Sequence, residues 1–384
     1  MRVAFITHVF PRLHNTFVLN EMVEFLRRGH DLRIVSLRRS GESIFNQDVL
    51  SHRLFDRVTY VEDIPAVSPL PPSVSPYADV LGSIAGGLPA LAHSLRATGI
   101  ELLHGTLGNR PATAAMILSR LSRLPYTFET HTFDLFVDFP FADQKIDSAR
   151  FIVAESEANR RFLTQTLGAP EEKVHVVHPA PNIERLASLD RQPKDPNLVV
   201  SACRLHPIKG LVHGLRAVAT VRNDFPDIRY WIIGDGPLRA ELVQEVDRLG
   251  LDGVVHFTGD VSNEHAIQLV QRASVFMLPS VVTPNGDRDG TPTALAEAMF
   301  LEVPVISSRI SGIPELVEDT VSGFLTTPGS EFELAIALRM LLAEPRLRRR
   351  MGEAGRRTVE RDFNIRRTTA QLCDLWDSVL RPCP

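Results

Sequence analysis

At 384 residues the chain exceeds the roughly 250–300 residues at which one hydrophobic core stops growing, and 44% hydrophobic with 23% charged residues excludes extended disorder. Lys and Arg number 42 against 46 Asp and Glu, so the net charge of -4 excludes the basic excess that would hold nucleic acid. The three cysteines, Cys203, Cys373 and Cys383, lack the spacing of a zinc site or a disulfide framework and fit a reducing, cytoplasmic compartment.

Along the chain, short apolar β-branched runs alternate with amphipathic stretches, the pattern of parallel sheets with crossover helices, so the fold class is α/β. Met1 to Thr7 is apolar for one strand's length, with no cleavage site after it, and reads as a first strand. Strands are expected at Val3–Thr7, Leu32–Leu37, Leu102–Gly105, Tyr126–Thr130, Phe151–Ala154 and Val174–His178, with a helix over Thr16–Arg28. Between the first strand and this helix the chain turns at Pro11. Asn15 is a candidate N-cap there, and Asn15 and Thr16 a candidate second anion site at the helix start. The nearly uncharged stretch Val80 to Leu95 is broken by glycines and is too short to span a bilayer. Phe128-Glu-Thr-His-Thr-Phe-Asp134 sets His131 and Asp134 just past a strand, at the edge where open α/β sheets bind ligands; a structural histidine is the other reading.

Asp190-Arg-Gln-Pro-Lys-Asp-Pro-Asn197 has linker composition and divides the chain into residues 1–190 and 191–365. The second half restarts with strands at Leu198–Ala202, Tyr230–Ile233, Val254–Thr258, Val275–Leu278, Val303–Ser307 and Gly323–Leu325. Arg204 and Lys209 stand in a strand-to-helix loop where two cations could grip a diphosphate, or merely decorate a turn. Gly234-Asp-Gly-Pro237 is not a complete dinucleotide fingerprint.

Asp287-Arg-Asp-Gly-Thr-Pro-Thr-Ala-Leu-Ala-Glu-Ala-Met299 reads as a ligand loop feeding a helix, with Pro292 at the first helical position and Thr291 as cap. The N–H groups around Gly290, Thr291 and Thr293 would then favour phosphate. Glu297 lies five residues past Pro292, roughly 7.5 Å along the helix at about 1.5 Å per residue, so Asp289 and Glu297 bracket a nucleotide-sized space. The alternative is that Thr291 and Asp289 merely cap the helix while Glu297 pairs with an arginine. From Pro345 the chain is rich in arginine interleaved with Glu353, Glu360 and Asp362; a solvated helical face is one reading, peripheral attachment to an anionic membrane surface the other.

In order, Arg204-x4-Lys209-Gly210, Gly234-Asp-Gly-Pro237, Phe257-x-Gly259, Leu278-Pro-Ser280, Asp289-Gly-x-Pro-x4-Glu297-Ala-Met299, Pro304-Val305 and Gly312-Ile-Pro-Glu-Leu316 resemble glycosyltransferase family four. In the first half Phe10-Pro11, Thr16-Phe17, Asn20-Glu21 and Gly29-His30 resemble its exopolysaccharide and colanic-acid type members, and His131-x2-Asp134 resembles the family's His loop. The resemblance implies a GT-B fold: two Rossmann-like domains, an N-terminal acceptor-binding one and a C-terminal nucleotide-sugar-binding one, with a deep crevice between. Residues 366–384 would form a helix crossing back to the first domain.

It further implies a retaining, metal-independent transferase without a cofactor, moving sugar from a nucleotide diphosphate sugar to a saccharide, lipid-linked or small-molecule acceptor, in the cytoplasm or at the inner face of the membrane. Arg204 and Lys209 would hold the diphosphate with the Gly290, Thr291 and Thr293 backbone, Glu297 the ribose, and Asp289 the donor sugar. His131 would sit beside the reacting centre; Asn15, Thr16 and Asp134 are candidates on the acceptor side. The family's usual Glu-x7-Glu reads Asp289-x7-Glu297 here, one methylene shorter at the leading acid, and Ala180-Pro-Asn182 replaces the common Gly-Val-Asp. A sugar-nucleotide epimerase and a non-catalytic nucleotide-sugar-binding protein are the competing functions.

Overall fold

Apolar runs buried on both faces are what a parallel sheet covered by helices requires, and the chain builds two such sheets. The computed structural model describes residues 1–13, 15–42 and 44–381, so Cys383 lies outside the described residues, as do His14, Ser43 and the last residues of the expected 366–384 helix. The strands, in chain order, are β1 (Arg2–Phe10), β2 (Asp31–Arg39), β3 (Val58–Tyr60), β4 (Leu102–Gly105), β5 (Tyr126–Thr130), β6 (Ile152–Ala154) and β7 (Val174–Val176). They continue with β8 (Leu198–Ala202), β9 (Arg229–Ile233), β10 (Val255–Gly259), β11 (Val275–Leu278), β12 (Val305–Ser308) and β13 (Gly323–Thr326).

The first seven form one sheet in the order β3-β2-β1-β4-β5-β6-β7, and the other six a second in the order β10-β9-β8-β11-β12-β13. In each sheet the order reverses at its first strand, between β1 and β4 and between β8 and β11, which is where open α/β sheets leave a crevice beyond their carboxyl ends. Side chains alternate across each sheet: Val3 and Phe5 of β1 enter one core and Ala4 and Ile6 the other, as do Phe276 and Leu278 against Val275 and Met277 of β11.

Two compact units result, residues 1–178 with 366–384, and residues 179–365. The boundary therefore falls before the expected linker. Asn182 caps the helix Ile183–Ser188 by accepting Arg185 N at 3.2 Å, and Leu186 is buried in the second unit's core. The polar stretch after it is strapped to that unit, Gln192 N donating to Gln271 Oε1 at 3.1 Å and Asp195 N to Arg272 O at 2.8 Å. Its prolines and charges look like a linker, yet its polar groups are satisfied within one unit.

The helix Ile365–Leu380 belongs to the first unit from Arg366 onward. Trp376, 0% exposed, sits edge-on to Phe5 and Phe25 with ring centroids 5.7 and 5.5 Å away, and its Nε1 donates to Thr127 Oγ1 at 3.1 Å. The edge strand β3 was not expected: three half-buried residues carry no readable alternation. Among the described residues no helix is long and apolar enough to cross a membrane.

Candidate functional site

Beyond β8 the chain runs through Cys203 and Arg204, makes a 3-10 turn over Pro207–Lys209 and enters the helix Leu211–Val221. The turn is tied to the end of β11 by Val281 N donating to Ile208 O at 2.8 Å. Gly210 follows with φ +59, and a Cβ there would overlap the Pro279 carbonyl oxygen, so only glycine lets the two loops approach this closely.

That approach brings Lys209 to Asp289. The ammonium donates to Asp289 Oδ1 at 2.5 Å, and Ser280 Oγ donates to Asp289 Oδ2, also at 2.5 Å. Asp289 is 6% exposed. Burial, the largest single influence, would lower the Lys209 ammonium, but the Asp289 carboxylate together with the neighbouring Cys203 and Asp287 holds Lys209 above its usual value. Arg204 is exposed at the same loop, and its guanidinium meets no acceptor among the described residues. The neighbouring Cys203 thiol is pushed up to about 12 by burial, which removes it from nucleophilic chemistry. Gly234-Asp-Gly236 packs against this same turn: a Cβ on Gly234 would overlap Cys203 O, and one on Gly236 would come within 2.6 Å of Leu205 O.

The loop after β11 is pinned internally, Thr283 N and Gly286 N closing a turn with Asp287 O and Thr283 O at 2.9 Å each. Its helix, Thr293–Phe300, begins one residue later than expected, with Pro292 at the N-cap and no side chain capping it. Thr291 is therefore not the cap; its Oγ1 is buried without a hydrogen-bond partner. Gly290 and Thr291 are buried, and Thr293 is the first helical residue. Neither Asp289 nor Glu297 acts as a cap. Glu297 is half-buried in the next turn; burial pushes its carboxyl up to about 7, with Arg185 acting against the shift.

In the first unit His131 ends β5 and opens the short helix Thr132–Phe136. Its Nδ1 lies 2.9 Å from Glu155 Oε2, its Nε2 3.7 Å from Glu129 Oε2, and the Phe17 ring centroid is 4.4 Å from its own. Burial would lower the imidazole, but Glu155 and Glu129 together raise it well above its usual value. Asp134 is the third residue of this helix. It is 1% exposed, accepting Gly108 N at 2.5 Å and His131 N at 3.0 Å. With buried Lys145, whose Nζ donates to Gly108 O at 2.6 Å and Asn109 O at 3.2 Å, it fixes the loop after β4. Asn15 occupies the N-cap of the helix Thr16–Arg27, but its side chain makes no capping bond; Thr16 is the first helical residue.

Each unit thus has its own group of candidate residues: Lys209, Asp289 and Ser280 with Arg204 nearby in the second, and His131 with Glu129 and Glu155 in the first. Ser280 was visible within Leu278-Pro-Ser280 without a role. Glu129 lies within the 128–134 segment and Glu155 just past an expected strand, but they become partners of His131 only because β5 and β6 are neighbours. No group of three or more His, Cys, Asp or Glu among the described residues is placed to hold a metal ion.

The profile described as "Glycosyl transferases group 1" matches residues 184–358, and that described as "Glycosyltransferase Family 4" matches residues 14–185. The amylovoran biosynthesis glycosyltransferase of Erwinia amylovora is 28% identical, covering 98% of this chain and 99% of its own. An Escherichia coli protein named for colanic acid biosynthesis is 26% identical over 99% of this chain and 100% of its own. Among solved structures, Anabaena HepE in complex with UDP superposes with a TM-score of 0.77 at 19% identity, covering 98% of this chain and 100% of that one, a likeness of fold. With the two profiles together spanning residues 14–358, the chain belongs to glycosyltransferase family four and is a glycosyltransferase of GT-B fold.

Proposed function

We propose that this glycosyltransferase moves a sugar, with retention, from a nucleotide diphosphate sugar to a hydroxyl of a saccharide, lipid-linked or small-molecule acceptor in exopolysaccharide synthesis. Residues 179–365 serve the donor, residues 1–178 with the last helix the acceptor. The observation that carries this reading is the loop group beyond β8 and β11: a lysine paired to a buried aspartate, beside an arginine with no partner among the described residues. Arg204 and Lys209 take the diphosphate with the Gly290, Thr291 and Thr293 backbone, Asp289 the sugar, and Glu297 the ribose. His131 acts at the reacting centre.

The bond from the anomeric carbon to the diphosphate oxygen breaks as the bond to the acceptor oxygen forms on the same face, and the acceptor's proton passes to the departing diphosphate. Two cations can stabilise the charge growing on that group, so the reading includes no metal and no cofactor. Exopolysaccharide synthesis is supported by the names of the Erwinia and Escherichia relatives, and a uridine donor by HepE, whose solved complexes contain UDP and UDP-glucose.

The test is a melting-temperature screen against nucleoside diphosphates, followed by acceptor-dependent release of UDP from UDP-sugars in EDTA. A chain that no nucleoside diphosphate stabilises would sink the donor assignment, and turnover restored only by added Mg²⁺ or Mn²⁺ the metal-independent one. Attachment to the anionic inner face of the membrane belongs to the same proposal. The helix Glu331–Ala343 exposes Phe332 (75%), Ile336 and Met340 on one stripe, and the next helix, Pro345–Asp362, exposes Arg346, Arg349, Arg350 and Arg357. Sedimentation with phosphatidylglycerol vesicles, absent with phosphatidylcholine, is the expected result.

A further inference from the structure

The imidazole of His131 has a carboxylate on each side. Glu155, just past β6, lies 2.9 Å from Nδ1, and Glu129 on β5 lies 3.7 Å from Nε2. A carboxylate only accepts, so Nδ1 carries the proton bound to Glu155, while Nε2, buried without a hydrogen-bond partner, lies at ion-pair and not hydrogen-bond distance from Glu129. Glu155 is itself held in place. Its Oε1 accepts Asn159 Nδ2 at 3.2 Å, and its main-chain oxygen lies 3.0 Å from His178 Nδ1.

We propose that Glu155 is the positioning residue of His131 in sugar transfer: bound to Nδ1, it fixes the ring's orientation and keeps it doubly protonated, so that the imidazole serves as cation and hydrogen-bond donor and not as a base. The inference rests on His131 acting at the reacting centre. Five titratable groups act electrostatically on the ring from the elements around it: Glu21 from the helix Thr16–Arg27, His104 from β4, Glu129 from β5, Asp134 from the following helix, and Glu155. Burial pushes His104 down to about 4, so it does not compete for a proton near neutrality, and pushes Asp134 up to about 7. Glu21 is raised well above its usual value by burial and by Glu129. A retaining transfer in which the departing diphosphate takes the acceptor's proton leaves no proton for a histidine to remove. An imidazolium instead offers positive charge and a donated hydrogen bond.

The test uses the full chain labelled with 15N in its histidine rings, the His131 signal being assigned by its loss in His131→Ala. In the wild type both ring nitrogens should stay protonated at about pH 8. In Glu155→Gln, which keeps the side chain's shape but not its charge, deprotonation should move at least about one pH unit lower. Glu155→Asp should restore most of the difference; it also serves as the variant to measure if the glutamine form does not fold. On UDP-glucose, Glu155→Gln should reduce kcat for UDP release by roughly ten- to a hundredfold, with KM for UDP-glucose unchanged and the alkaline limb of the profile displaced toward acid. A ring already neutral at about pH 7 in the wild type, or one that titrates identically in Glu155→Gln, overturns the inference. A displaced ring titration with unchanged kcat overturns the role in transfer and locates the failure in the reading of His131.

Discussion

In the second unit one buried ammonium meets one carboxylate at 2.5 Å, while in the first an imidazole lies among Glu21, Glu129 and Glu155 with no lysine or arginine paired to them among the described residues. The first arrangement balances charge within one pair, which under the proposed function the diphosphate would reorganise. The second sets two carboxylates, Glu155 and Glu129, on the two sides of one imidazole. A leaving group that gains negative charge calls for the former; a fixed donor calls for the latter.

The largest expected effect breaks the balanced pair. Lys209→Ala leaves Asp289 buried without its cation and should cost about 3–5 kcal/mol of stability, read from the denaturant midpoint. Adding Asp289→Asn should recover part of it, through a coupling of about 1–3 kcal/mol. Two additive losses would mean that the pair is not the unit the geometry describes. Next comes Arg204→Ala, which should cost roughly 3 kcal/mol in kcat/KM, the scale of one lost preorganised donor, with stability within about 0.5 kcal/mol of wild type. Near-normal kcat/KM would remove Arg204 from the diphosphate site.

Asp289→Asn should reduce transfer by about 1.5–3 kcal/mol, the value of a charge-assisted hydrogen bond, while calorimetric affinity for the free nucleoside diphosphate holds or rises because Lys209 is released. A parallel loss of both would assign Asp289 to the loop's stability and not to the sugar.

The smallest effect concerns Glu297. Its folded carboxyl, pushed up to about 7, lies above its unfolded value, so the folded chain holds this proton more tightly; the associated stability is complete below the unfolded value and is lost as pH rises through about 7. Glu297→Gln cannot lose a proton there, so its melting temperature should gain on the wild type between about pH 5 and pH 8, by a few degrees at most. A difference that stays constant with pH would show that Glu297 does not titrate in this range.

Apart from the edge strand β3, the strands of both sheets were legible because buried parallel strands are continuous apolar runs, and Lys209 and Asp289 because each stands in a loop after such a run. Their pairing was not legible: 80 residues separate them, and they meet only because β11 lies beside β8. For the same reason Glu129 and Glu155 read as ordinary charges near strand ends. The 190–197 segment misled in the opposite direction, and the backbone N–H groups that Asp134 accepts were likewise not visible, since sequence shows which groups are polar but not what already satisfies them. Thr291 illustrates the limit at a helix start, where a shift of one residue decides which side chain can cap.

The seat of Trp376 against Phe5 and Phe25 has a consequence for vectorial synthesis. The first sheet is translated early, but the helix that covers Phe5 leaves the ribosome only after all of residues 179–365. A chain truncated after residue 365 and released therefore carries the whole sequence of the second unit and a first unit whose apolar face is still open. The enclosed segment can close its own core first, and the half of the molecule that begins the chain is the half that finishes folding last.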